Sequence, residues 1–138
     1  MLQESIRRAA DESQAEIDLI LSQERLTYPF FSEHLRRFVL IRYALDPSDC
    51  EGTDDLDKLT LISLSKTLKM SKDLVADYEA GQNCDGATSA TVKRSLLLMK
   101  IQKAFSIELS LPDLMGIDTL EDVARAVWRH LPISSKGA

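Results

Sequence analysis

The residues with the most chemical potential lie together in Cys84-Asp85-Gly86-Ala87-Thr88-Ser89-Ala90-Thr91-Val92-Lys93-Arg94. Three hydroxyls stand within four positions, just ahead of an apolar run and followed at once by two cations. A hydroxyl at the start of a helix can cap it, because the first four backbone N–H groups have no intrahelical acceptor. An anionic group attached to such a hydroxyl would lie against those donors and the positive end of the helix dipole. Lys93 and Arg94 would add to the same field. Gly86 allows a tight turn into the helix without a Cβ penalty.

Elsewhere the reactive residue types are scattered. His34 sits in an Arg-flanked segment and His130 near the chain end, and neither shows nucleophile–base or metal spacing with Cys50 or Cys84. The two cysteines form no C-x-x-C, and two free thiols are expected. Asp54-Asp55 and Glu121-Asp122 read as linker charge and helix N-terminal charge. There is no Gly-rich phosphate loop. The expectation is a protein that is not an enzyme.

The chain has 138 residues with 44% apolar and 28% charged residues, enough for one domain with a core and an extension. A net charge of −5 argues against broad nucleic-acid binding. No apolar run reaches membrane-spanning length. The segment MLQESIRRAADES has charges where a signal peptide needs an apolar centre, so a cytoplasmic protein is expected. Residues 1–50 hold six Arg, no Lys and nine acids, while residues 51–138 hold eleven basic residues and thirteen acids. Five of the eight aromatic or ring-bearing Phe, Trp and Tyr residues (Tyr28, Phe30, Phe31, Phe38 and Tyr43) fall within sixteen positions. Packing of this cluster is the favoured reading, with a docking or dimer surface as the other.

Periodicity predicts an all-α fold. Leu2, Ile6, Ala9, Ser13, Ile17 and Ile20 share one helical face, ended by Tyr28-Pro29. A second helix is expected from about Ser32, as cap, to about Leu45. The acidic, turn-rich segment from Asp46 to Asp55 is a linker. Leu56, Leu59, Ile62, Leu64 and Leu68 mark a third helix. Thr91 to Phe105 marks another, with Val92, Leu96, Leu97, Met99, Ile101 and Phe105 as its apolar set. Ser106 to Ile117 reads as short and partly extended, held by Pro112 and Gly116. Asp118 or Thr119 caps the last helix, with Glu121 and Asp122 at capping-box distance and Leu120, Val123, Ala124, Val127, Trp128 and Leu131 on its apolar face. Leu64, Leu97, Met99, Ile101 and Val127 are expected to build the core. The division is an extension over 1–46, a linker over 47–53, a main domain over 54–132 and a tail over 133–138.

Residues 56–131 resemble an acyl or peptidyl carrier protein. AFSIELSLPDLMGIDTLEDVARAV is similar to that family's closing pattern: a Phe ending the second helix, a short I-x-L segment, an apolar D-L turn, then T-L-x-D-[VL]. Upstream, LSKTLKMSKDLV looks like the end of the family's first helix and its loop. The spacing from Val75 to Ser89 equals the family's spacing from its loop Val to its modified Ser, and DGATS looks like its attachment motif. The resemblance implies a four-helix carrier-like bundle preceded by a two-helix extension, with 4′-phosphopantetheine covalently attached to Ser89. It implies a phosphopantetheinyl transferase, acyl- or aminoacyl-loading enzymes and synthases as partners. The sequence departs from the pattern at Thr88 and Ala90, and Ser89 lies two residues further from Phe105 than is typical. Counting back from Phe105 puts the attachment register on Thr91 instead. The upstream spacing favours Ser89.

The helix from Thr91 to Phe105 carries Lys93, Arg94, Lys100 and Lys103 and no acid, where the family's second helix is commonly acidic. Dedicated partner enzymes are therefore expected. Two other readings stay open. LSKTLKMSKDLVADYEAGQN resembles a helix-turn-helix DNA binder, although its second helix, Ser71 to Ala80, carries Asp73, Asp77 and Glu79 against one Lys. The other is a carrier-like interaction scaffold without a prosthetic group.

Overall fold

The computed structural model describes residues 2–70 and 86–132, with side chains from 7–66 and 89–132. The described residues form six α-helices and no strand, so the protein is all-α as expected. The helices are α1 (Leu2–Leu21), α2 (Tyr28–Arg42), α3 (Leu56–Met70), α4 (Gly86–Phe105), α5 (Leu111–Met115) and α6 (Leu120–His130), with a 3₁₀ turn at Pro47–Cys50. α1 packs along α2, α2 against α6, and α3 against α4. The segments expected over 71–85 and the tail over 133–138 lie outside the described residues, and Cys84 and Asp85 with them.

Two helix starts differ from expectation. α2 begins at Tyr28, before Ser32, and its cap is Thr27, whose extended backbone precedes the helix and whose Oγ1 accepts from the Phe30 N–H at 3.4 Å. Pro29 therefore sits in the first turn. There its missing N–H costs no helix bond and its fixed φ fits the helix. The helix ends at Arg42, with Ala44 left-handed at φ 55°. The Leu45 N–H reaches the Leu40 carbonyl at 2.8 Å and the Ala44 N–H reaches that of Ile41 at 3.1 Å, the paired bonds of a Schellman end. Ser106, at φ 53°, closes α4 in the same way, its neighbour Ile107 donating to Gln102. Phe105 is thus the last residue of its helix, as expected.

The buried residues form one continuous apolar cluster from Ile17 to Leu131. The aromatic residues of α2 are packing residues. Phe31, fully buried, meets Phe105 at 5.6 Å and Trp128 at 5.5 Å between ring centroids, and Tyr28 meets Trp128 edge-on at 5.5 Å. The Tyr28 hydroxyl donates to Glu121 at 2.9 Å. Leu97, Ile101 and Val127 are core, as expected, but Met99 is 61% exposed and Leu64 is half-buried. Leu98 takes the inward position beside Leu97.

The acidic segment before α3 is a structural joint. The Asp54 carbonyl accepts from Leu120 N–H, and the Asp118 carbonyl from Leu56 N–H, at 3.0 and 2.9 Å. An Asp54 carboxylate oxygen also accepts from Glu121 N–H, while the other pairs with Arg36. Asp55 caps α3 through Lys58 N–H, and Thr119 caps α6 with Asp122 as its box partner. The starts of α3 and α6 are thereby tied together and to α2.

The stretch from Ser106 to Ile117 is not extended throughout, since α5 occupies its centre. Ser110 caps it with Asp113 in a reciprocal box. Asp113 also holds His130 at 2.7 Å and Arg129 at 3.1 Å, which ties α5 to the end of α6. The bond from His130, then those from Ser110 and Arg129, hold its carboxyl well below the ordinary 3.8. A depressed folded-state pKa means that the ionised form is favoured by folding. Its contribution is complete above the ordinary value and is lost as pH falls below it. The stability gap between wild type and Asp113→Asn should therefore be widest near neutrality and shrink between about pH 5 and pH 2. Urea midpoints across that range check this, and a pH-independent gap would contradict it.

Candidate functional site

The start of α4 sets the site. The helix begins at Gly86, five positions ahead of the expected Thr91. Ser89 is its fourth residue and Thr91 its sixth, so neither is the cap, and Ser89 is half-buried in the first turn instead of standing on an open loop. Nothing after Gly86 resists a helix. Ala87 and Ala90 are strong helix formers, and Ser and Thr cost only a few tenths of a kcal/mol. The Val75 spacing and the whole would-be recognition helix Ser71 to Ala80 fall outside the described residues.

Helical spacing separates the two candidate hydroxyls. Ser89, Lys93, Leu96, Lys100 and Lys103 recur at steps of four and three and share one face. Thr91 lies on the other side, where Ala90, Arg94, Ser95, Leu98 and Met99 line a groove of about 600 Å³ closed by Leu61 of α3 and Leu114 of α5. The groove is mainly apolar, and Leu61 and Met99 on its rim are 53% and 61% exposed.

The four cations of α4 divide in the same way. Arg94 donates to an Asp57 carboxylate oxygen and to the Ile117 carbonyl, which braces α4 against the start of α3 and the loop before α6. It stands away from Ser89 and is committed to the fold. Lys93 lies one turn beyond Ser89, half-buried, with Nζ 5.5 Å from the Tyr43 ring centroid. Burial pushes its pKa down. Burial also pushes the Tyr43 phenol up, against the bond to Thr60 and the field of Arg94. Lys100 and Lys103 are exposed and meet no carboxylate among the described residues at ion-pair distance. The joint Lys93–Arg94 field expected around Ser89 is therefore supplied on that side by Lys93.

Several titratable residues away from α4 are held in structural contacts. His34 Nδ1 and Glu16 Oε2, 2.6 Å apart, join α2 to α1, and the His34 ring lies 4.2 Å from that of Phe30. Cys50 is buried in the 3₁₀ turn, and burial raises its thiol pKa. Asp49 pairs with Lys66 at 2.7 Å. Among the described residues no group of three His, Cys, Asp or Glu residues could hold a metal ion. No described helix is long and apolar enough to cross a membrane. Arg42, which joins Lys93 and Lys100 around a second depression, was not singled out by the sequence; only the fold brings it beside α4. No family model, curated protein or solved structure matches the chain.

Proposed function

We propose that the protein is a carrier that tethers an acyl or aminoacyl group on a 4′-phosphopantetheine arm at Ser89 and presents it to partner enzymes. In this reading α3 to α6 are the four-helix carrier-like bundle of residues 54–132, and α1 and α2 are the extension of residues 1–46. The placement of Ser89 in the first turn of a long helix, one turn before the half-buried Lys93, carries the reading. A phosphodiester on Ser89 fits there. The first-turn N–H groups lack intrahelical acceptors, and the Lys93 ammonium, already short of water, would gain an anionic neighbour. When bound, the arm supplies a thiol that holds the cargo as a thioester. Phe105 closing α4, the short capped α5 and the Thr119–Asp122 box opening α6 are the features on which the family resemblance rests, and each has a defined local structure here.

The half-burial of Ser89 favours a second reading, a carrier-like scaffold without the arm. Transfer of a fluorescent pantetheine analogue from coenzyme A by a broad-specificity phosphopantetheinyl transferase separates the two. Labelling of wild type and Thr91→Ala but not of Ser89→Ala is expected. Labelling lost only in Thr91→Ala would move the site to the groove side of α4, and no labelling in any variant would leave the scaffold.

A further inference from the structure

The outer face of α4 continues onto its neighbours as one basic seam. Arg42, the last residue of α2, lines two adjoining depressions together with Lys100. The first, about 320 Å³, is completed by Tyr43, Lys93, Leu96 and Leu97. The second, about 430 Å³, includes Lys103 and reaches Ala10 and Gln14 of α1. α4 contains no acidic residue, and Arg42, Lys100 and Lys103 pair with no carboxylate among the described residues. A concentration of unbalanced positive charge in a chain of net charge −5 is not the average surface. At its centre Leu96 is 59% exposed, an apolar side chain ringed by cations.

We infer that this seam between α4 and the α1–α2 pair docks an acidic amphipathic helix of a partner protein. The distance from Lys93 to Lys103 is roughly 15 Å at 1.5 Å per residue, the length of about three helical turns. Carboxylates spaced three and four apart along such a helix would meet Arg42, Lys93, Lys100 and Lys103, and one apolar side chain between them would cover Leu96. Charge complementarity of this kind sets encounter rate and partner choice. The apolar centre distinguishes the seam from a phosphate-tracking surface, which needs cations alone. The seam includes residues of the extension, so it gives α1 and α2 a part in recognition. It does not depend on modification of Ser89, and Ser89→Ala leaves it intact.

The test uses the full chain and a synthetic helical peptide carrying Glu at three- and four-residue spacing around a single Leu, beside the same peptide with Gln for Glu. Fluorescence anisotropy gives affinity, and backbone amide shifts give location. The Glu peptide should bind at least about tenfold more tightly than the Gln peptide at low salt and lose that advantage as the Debye length falls below roughly 10 Å. Its shifts should cluster on Arg42, Lys93, Leu96 and Lys100. Lys100→Glu/Lys103→Glu should abolish the preference, Lys100→Gln/Lys103→Gln should weaken it, and a Lys-for-Glu peptide should recover binding to the reversed variant. Equal affinity for the two peptides, or shifts centred elsewhere, would overturn the proposal. So would tighter binding at the seam by anionic phosphatidylserine vesicles or duplex DNA than by the Glu peptide.

Discussion

Phe31→Ala should cost about 4 kcal/mol and lower the thermal midpoint by roughly 10–15 °C. Phe31 is fully buried, and its ring spans the contact between α2 and the helices that follow the acidic linker, touching Phe105 at the end of α4 and Trp128 on α6. Truncation removes the transfer energy of an aromatic side chain and leaves a cavity that three helices must all shift to fill. Because the core is continuous across residues 1–46 and 54–132, the loss should lower one cooperative transition. Trp128, the only tryptophan, reports on this contact directly. Its fluorescence and the helical circular dichroism signal should shift together in the variant. A melt with separate transitions, or a shift worth less than about 1 kcal/mol, would contradict the shared core.

Arg94→Leu should cost about 2 kcal/mol, whereas Lys100→Ala and Lys103→Ala should each stay within about 0.5 kcal/mol of wild type. The Arg94 side chain is 21% exposed and its guanidinium serves two acceptors, so its loss leaves the Ile117 carbonyl without this donor. Most of the effect comes from that carbonyl, because Asp57 is 69% exposed and its ion pair is weakened by solvent. Urea denaturation of the three variants checks the ranking. Equal effects would mean that Arg94 is only one of four surface cations. The same geometry changes how partner selectivity should be probed. A transferase that needs an acidic helix should act poorly on this chain, and Lys100→Glu with Lys103→Glu, both at exposed positions, should improve it. Arg94→Glu would confuse selectivity with instability, since it sets two acids against each other at the α3–α4 contact.

Local patterning made most of the helices legible. α6 shows a Thr cap, an acid three residues on and an apolar stripe of uniform step, and every one of these cues agrees. The run from Ser95 to Ile101 is different. Leu96, Leu97, Leu98 and Met99 surround α4 with apolar side chains, so periodicity alone cannot say which faces inward. The fold buries Leu97 and Leu98 and leaves Leu96 and Met99 on the surface. Thr60 and Ser63 were invisible as core residues because they are polar. They are buried because Tyr43 supplies partners, its hydroxyl for Thr60 at 2.8 Å and its carbonyl for Ser63 at 2.6 Å.

The hydroxyl cluster was legible in type but not in orientation. Its residues suit a helix start, and the structure sets them inside the helix, where a two-residue difference in position turns Thr91 toward the groove and leaves Ser89 at the head of the basic stripe. That the Lys–Arg pair divides between two faces follows from the 100° step between neighbours. That one member braces the fold depended on Asp57 and Ile117, which only tertiary structure brings near. Asp54 reads in the sequence as linker charge, although its backbone and side chain both hold the start of α6. Such long-range polar contacts leave no periodic trace.

Attachment at Ser89 is read from the intact mass of the purified chain after co-expression with a broad-specificity phosphopantetheinyl transferase. Wild type should gain the mass of one phosphopantetheine arm, and Ser89→Ala, equally folded, should gain none. An unchanged mass for wild type, or an arm retained in Ser89→Ala, would contradict it.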